Sequence, residues 1–493
     1  MRISNSARFI IIIPLVLSAF THLWNPIGFP DLFYDEGVYM RRAMLVVDGL
    51  GPQEGNYYDH PHFGQLFLGG MLGITGYPDA LNPDNRTQSM QNLYLVPRVL
   101  MGMLSIVDTF LVFKIAEKRY GMKVAVVASI LFAVMPMTWL LRRILLDSIL
   151  LPFLLGSILM AVYAKDSRHA GAFALASGIL LGLAIYTKIP AFVMMPLVGY
   201  LVYTSITAGK RRRARLLLYW IMPAILIPML WPAQSILVGQ FDSWKEDVLW
   251  QTQRESGGLN SLTRYFFQFD PVLMVLGIAG IGYSLWRRDL LVALWVLPFV
   301  FFLSVIGYVQ YFHWIPILPA IAITGTRLIV ELPSRIYHGM AQKAIISGVA
   351  GGIAIFGIVS TAVLISANVS SAQFEALSFA ASYLDKGERD SMTTTLASPV
   401  YSWVLNYALK YDNVFIDYRH ALFHPIRTDQ ILMMFDRHIQ NDPGMDGRLG
   451  RIYNNTETIK IFNGMVSGYG QNYPYSSMRV NLEGSVIDIR SSQ

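Results

Sequence analysis

The chain has 493 residues, of which 54% are hydrophobic and 14% charged, and its mean hydropathy is +0.43. That is more apolar surface than one soluble core can hide, which excludes a soluble globular protein and leaves a polytopic membrane protein. The formal net charge of +7 follows from the membrane topology read below, so it gives no reason to expect a nucleic-acid partner, and the absence of cysteine excludes a disulfide framework.

Apolar runs of roughly 17 to 24 residues, the length that crosses about 30 Å of hydrocarbon, recur over the first three quarters of the chain. About eleven transmembrane helices are predicted, near residues 8–25, 93–113, 123–141, 146–163, 171–187, 189–208, 216–237, 270–286, 290–308, 314–331 and 344–366. The connections "KIAEKRYGMK" (114–123), "AKDSRHA" (164–170), "GKRRRAR" (209–215), "WRRD" (286–289) and "SRIYHGMAQK" (334–343) are rich in Lys and Arg, as is the N-terminus with Arg2 and Arg8. The positive-inside rule makes these cytoplasmic. A first loop at 26–92, a second at 239–269 and everything after about residue 367 are then external. A cleavable signal peptide is not expected, because "NPIGFPD" after the first run lacks a small-x-small site.

From about 371 the chain turns polar. Helix-like stretches ("SSAQFEALSFAASYLDKG", "SPVYSWVLNYALKY", "RTDQILMMFDRHIQND") alternate with strand-like ones ("MTTTLAS", "NVFIDY", "TIKIFNG"), which predicts an external α/β domain over 367–493 beside a membrane domain over 1–366. An external domain without disulfides fits a prokaryotic cell membrane better than a eukaryotic secreted context.

Chemistry-bearing residues collect at the external boundary. "DLFYDEGVY" places Asp35 and Glu36 at the start of a segment whose Val38, Met44, Val46 and Val47 suit a short helix along the membrane surface. Acids there also complement the helix dipole and need do nothing else. "NYYDHPHFGQLFLGG" sets Asp59, His60 and His62 around Pro61, as interface residues, general acids or ligands of a divalent metal shared with His313. In "LLRRILLDSILLP" Arg143 and Asp147 are four apart, the spacing of an ion pair on one helix face, while Arg142 has no local partner. Lys188 closes "LAIYTKIP", where snorkelling would account for it. Arg254 and Arg264 add cations in the second external loop. Each of these has a bland explanation alone. Together, a carboxylate among cations at a lipid interface is what transfer from an anionic lipid requires: one group takes a proton from an attacking hydroxyl and others hold the departing phosphate.

The stretches "YDEGVY", "HPHFGQLFLGG", "RRILLDSILL" and "GLAIYTKIPA", in that order over residues 8–330, resemble the GT-C glycosyltransferases, within them the protein O-mannosyltransferase and aminoarabinose transferase branch. Two departures stand out. His62 takes the place of a second proline and Gln65 that of a lysine, which bears on the acceptor, and no Trp-Trp-Asp motif is present in the tail, which argues against an oligosaccharyltransferase. The resemblance implies a polyprenyl-phosphate-linked sugar as donor, mannose or another hexose, and a hydroxyl on protein, lipid or glycan as acceptor. It implies an inverting in-line displacement with Asp35 as catalytic base and Glu36 supporting it or helping to position the acceptor. Arg142, Arg143, Lys188, Arg264 and His60 would meet the donor phosphate. Asp59, His62, Asp147, Tyr311 and His313 would line the substrate site, with Asp147 orienting an arginine. No cofactor is required by this reading, and nothing in the spacing demands the divalent metal. Two other classes fit parts of the pattern: a transporter, whose charges would sit nearer the midplane of repeated halves, and a non-catalytic scaffold of the same fold.

Overall fold

A computed structural model describes residues 10–165, 167–205, 209–254, 258–306, 308–385, 393–426, 430–464 and 485–492. Arg2 and Arg8 lie outside the described residues. In chain order the helices are α1 (Ile12–Leu23), α2 (Tyr34–Val47), α3 (Phe63–Ile74), α4 (Thr87–Tyr120), α5 (Met122–Val134), α6 (Leu146–Ala164), α7 (Ala170–Thr187), α8 (Met195–Thr204), α9 (Lys210–Leu226), α10 (Leu230–Leu237), α11 (Phe241–Gln253), α12 (Gly258–Phe269), α13 (Pro271–Trp286), α14 (Leu290–Val305), α15 (Leu318–Glu331), α16 (Gly339–Ile365) and α17 (Ser371–Leu384).

Among the described residues five helical segments are long and apolar enough to cross a bilayer: α4, α6, α7, the segment Tyr311–Ile336 that contains α15, and α16. The chain is an integral membrane protein. The expected eleven spans resolve differently. The run at 123–141 breaks where Pro136 cannot continue α5, and the following 3-10 turn bends away by 68°. α9 and α10 meet at 40°, and α12 and α13 at 119° across Asp270 and Pro271. The runs at 8–25, 189–208 and 290–308 yield apolar helices shorter than a full crossing, and α3 is a further short apolar helix outside the expected set.

The C-terminal region holds a four-stranded sheet of β1 (Thr393–Leu396), β2 (Gln430–Phe435), β3 (Glu457–Asn463) and β4 (Val486–Ser491) in the order β1-β2-β4-β3. β1 and β2 run parallel, and the other two pairs are antiparallel. "QILMMF", expected to be helical, is β2. Leu432 and Met434 pack into the main apolar core and Met433 into a second cluster, so both its faces meet protein and its apolar run lacks the alternation that marks a half-exposed strand. "NVFIDY", expected as a strand, makes one bridge, Val414 to Thr395, and then leaves the sheet.

This region is fused to the helices. One apolar core runs from Phe29 through the helical bundle to Leu377, Trp403 and Ile489. Gln373 brackets Leu32, accepting from its N–H at 2.7 Å and donating to its carbonyl at 3.1 Å. Tyr94 of α4 donates to the Val400 carbonyl at 2.5 Å and accepts from the Trp403 indole at 2.8 Å. Gly37 explains how the backbones meet: a Cβ there would stand 2.2 Å from Pro399 C and Val400 N, so only glycine lets residues 399–400 lie directly on α2. The expected surface helix is therefore a covered one, with Met40, Ala43 and Met44 buried.

Candidate active site

Helix α2 starts where its neighbours hold it. Glu36 accepts from the Phe33 N–H at 2.9 Å, closing the first turn as a cap. Its other partners come from two further segments: Arg98 of α4 at 2.9 Å, Arg143 at 3.4 Å and the Ile144 N–H at 3.0 Å. Arg143 also pairs with Asp31 and donates to the Asp31 carbonyl at 2.7 Å. Glu36 and Arg98 have fully buried side chains, so each ion needs the other. These contacts fix the direction of α2 and with it the residue before Glu36.

Asp35 points the other way, into a cavity of about 830 Å³. Six parts of the chain meet around it. α2 brings Asp35 and Tyr39, and the loop before α3 brings Asp59 and His60. The first turn of α6 brings Asp147, the C-terminal end of α7 brings Lys188, the end of α11 brings Arg254, and the segment between α14 and α15 brings Tyr308, Phe312 and His313. A seventh wall comes from the tail: Ile416, Asp417, Arg419 and His420. One side of the space is apolar, formed by Leu150, Ile189, Phe192, Phe299, Phe302 and Leu303. Ile189 and Phe192 are 39% and 44% exposed, so that side opens to the surface through apolar side chains.

Most charges in the cavity are already paired. Arg42 holds Asp59 at 2.6 Å, Arg41 holds Glu54 at 2.5 Å, and Lys188 holds Asp147 at 2.6 Å. Lys188 also sits 4.6 Å from the centre of the Phe312 ring. Arg254 lies flat on Tyr308, its guanidinium carbon 3.6 Å from the ring centre, and donates to Gln251 at 3.1 Å. Among the described residues no carboxylate pairs with Arg254, and no hydrogen bond or ion pair holds the Asp35 carboxylate.

That isolation shows in the protonation equilibria. The Asp35 carboxyl is pushed up to about 6: burial disfavours the anion most, Lys188 and Arg254 pull the other way, and Asp59 and Asp147 add to the push. Burial likewise opposes the charge of Asp59, but the adjacent Arg42, with a lesser pull from His60, outweighs it and holds that carboxyl well below the usual range. His60 is lowered to about 4, by burial first and by the cations Lys188, Arg42 and Arg254 against the opposing charge of Asp59. At neutral pH Asp35 is thus an anion that still binds a proton readily, and His60 is a neutral imidazole.

The residues singled out from sequence divide in two. Asp35, Asp59, His60, Asp147, Lys188 and His313 line the cavity. Glu36, His62, Arg142, Arg143, Arg264 and Tyr311 do not. His62 is buried against Gln53, Nε2 to Oε1 2.9 Å. Arg142 is buried just beyond the C-terminal end of α1, where it donates to the Trp24 carbonyl. Arg264 is exposed on α12. Tyr311 stacks on Tyr265 at 4.7 Å and on Trp139 at 6.2 Å, away from the cavity. The expected pair of Arg143 with Asp147 is not formed: the helix starts only at Leu146, so Arg143 lies outside it and is not held at an i,i+4 position. Asp147 orients a lysine instead of an arginine. Among the described residues no three His, Asp or Glu side chains converge to hold a metal ion. Asp59 is paired with Arg42, and His62 is hydrogen-bonded to Gln53.

Comparison with known proteins now has a geometry to meet. Residues 53–239 match the family model of the dolichyl-phosphate-mannose-protein mannosyltransferases. Over 99% of its length the chain superimposes on 98% of ArnT from Cupriavidus metallidurans, solved with undecaprenyl phosphate, with a TM-score of 0.55 at 13% identity. Its fold is that of the GT-C glycosyltransferases. The archaeal oligosaccharyltransferase AglB from Archaeoglobus fulgidus, solved with an inhibitory peptide and a dolichol-phosphate, matches with a TM-score of 0.56 at 10% identity, over 90% of this chain and 70% of that one. Among curated protein sequences nothing matches significantly.

Sequence reasoning placed Arg254 only among the nearby cations and missed the tail wall and the role of Arg98. A signal for Arg98 was present, since an arginine inside an apolar span needs a buried partner. No local signal marks Asp417, Arg419 and His420, which reach the cavity only because the tail folds back onto α2.

Proposed function

We propose that this GT-C protein is an inverting glycosyltransferase that moves a sugar, mannose or another hexose, from a polyprenyl phosphate to a hydroxyl on protein, lipid or glycan. The observation that carries the reading is Asp35: an unpaired carboxylate facing a cavity that also holds Lys188 and Arg254 and has one apolar side. The apolar wall suits the isoprenoid chain, and the two cations suit the phosphate.

In the proposed reaction Asp35 takes the proton of the acceptor hydroxyl as its oxygen attacks the anomeric carbon. The bond from that carbon to the phosphate oxygen breaks, its electron pair stays with the phosphate, and configuration inverts. Lys188 and Arg254 meet the charge that develops on the leaving group, in a site where little water screens them. His60, neutral at pH 7, contributes a hydrogen bond to the donor. Glu36, Arg98 and Arg143 act on the chemistry only by aiming α2. No cofactor enters these steps. The reading orients the C-terminal sheet and the cavity outside the cell and the basic loops inside.

The test is transfer from radiolabelled polyprenyl-phosphate mannose to membrane acceptors, with wild type and Asp35→Asn in matched amounts. Loss of roughly a hundredfold or more in the variant is the expected result, given what a general base contributes. Equal transfer by both would sink the assignment of Asp35.

A further inference from the structure

We propose that His313 is a donor-phosphate ligand in the neutral Nε2–H form, held in that tautomer by the backbone and directed at the departing phosphate. The inference rests on the glycosyl-transfer reading above and assigns a group within it.

Three observations carry it. The Gln310 N–H donates to His313 Nδ1 at 3.0 Å, and a ring nitrogen that accepts a hydrogen bond carries no proton. The single ring proton is therefore on Nε2. The fold builds this bond in, because His313 stands three residues into the 3-10 turn Tyr311–Ile317 that Gln310 caps. Second, the ring is only half-buried and lines the cavity. Third, it sits between the two cations. The Tyr308 ring, which carries Arg254 at 3.6 Å, is 6.3 Å from the imidazole, and the Phe312 ring, which carries Lys188 at 4.6 Å, is 4.9 Å from it. A phosphate bridging Lys188 and Arg254 offers oxygens in the space between them, where a fixed neutral N–H adds a hydrogen bond without adding a third positive charge. Among the described residues no protein acceptor takes the Nε2 proton.

Glutamine and asparagine separate this role from a structural one. Glutamine carries an amide N–H where Nε2 stands and keeps the donor. Asparagine carries its amide oxygen where Nδ1 stands, so it keeps the bond from Gln310 and loses the donor. Binding of undecaprenyl phosphate to the purified full-length protein is measured for wild type, His313→Gln, His313→Asn and His313→Ala, with the melting temperature of each. The expected result is dissociation constants weakened about tenfold or more in the Asn and Ala variants and within about threefold of wild type for Gln, the loss typical of a hydrogen bond to a charged group. Transfer rates should fall in the same order. If Asn binds as wild type does while Gln is impaired, or if all three bind alike, His313 is not the ligand and the inference is overturned with the transferase reading intact. Failure of the wild type itself to bind undecaprenyl phosphate would overturn both.

Discussion

Asp35 stays ionised at neutral pH against its surroundings, and that has two consequences at the scale of the residue. The first concerns rate. As the proposed base, a carboxyl pushed up to about 6 must lose its proton to work, so kcat/KM should rise with pH through about 6 and level off above it. Arg254 lowers the Asp35 pKa, so Arg254→Gln should move that limb to higher pH as well as weakening donor binding; a pH profile of each form reads the shift, and an unmoved limb would detach the limb from Asp35. The second concerns stability. The folded-state pKa of Asp35 is raised above the unfolded value of 3.8, so the folded protein holds the proton more tightly and loses stability as pH climbs from about 4 to about 6. Asp35→Asn should therefore melt higher than wild type at pH 8 and lose that advantage below pH 4. Inactivity combined with greater stability is the pattern of a functional group kept at a structural cost.

Helix α2 behaves in the opposite way one residue along. Glu36 and Arg98 are both fully buried, so Arg98→Met should cost about 3 kcal/mol by leaving the carboxylate only the longer contact to Arg143 and two backbone N–H groups, and adding Glu36→Gln should recover part of it. Denaturation of the single and double variants in detergent measures this. On the other face, Gly37→Ala should cost about 1 to 3 kcal/mol, because the added methyl would overlap the 399–400 backbone and push the tail off α2. Faster cleavage of the tail by an added protease would report that displacement; unchanged cleavage would show that the backbones can separate harmlessly. Much of this helix was legible from sequence. The acids of its first turn and the apolar stripe of "DEGVYMRRAMLVV" indicated a helix with a polar start. What could not be read was which acid is structural, since Asp35 and Glu36 are adjacent and chemically alike. Only the arrival of Arg98, Arg143 and the Ile144 N–H on one side tells them apart, and those partners are 62 to 108 residues away.

Across the whole molecule the membrane character and the gathering of charge at one boundary were legible, because apolar length and loop charge are local quantities. The tail's fusion to the bundle was not, since it depends on one glycine and on pairs such as Tyr94 with Trp403 that no periodicity connects. Orientation is open to a direct experiment, because the chain contains no cysteine. Val486→Cys, in an exposed position on β4, should react with a membrane-impermeant maleimide on intact cells, while Arg211→Cys, exposed at the start of α9, should react only after lysis. Labelling of both on intact cells would contradict the proposed topology. The contact of Gly37 with residues 399–400 also bears on how the protein is made. Helix α2 leaves the ribosome long before the backbone of residues 399–400 that covers it. Until those residues are made α2 is without its cover, and until residues 416–420 are made the cavity lacks the wall they supply. A premature stop before residue 416 leaves an inserted membrane protein whose proposed site is unfinished.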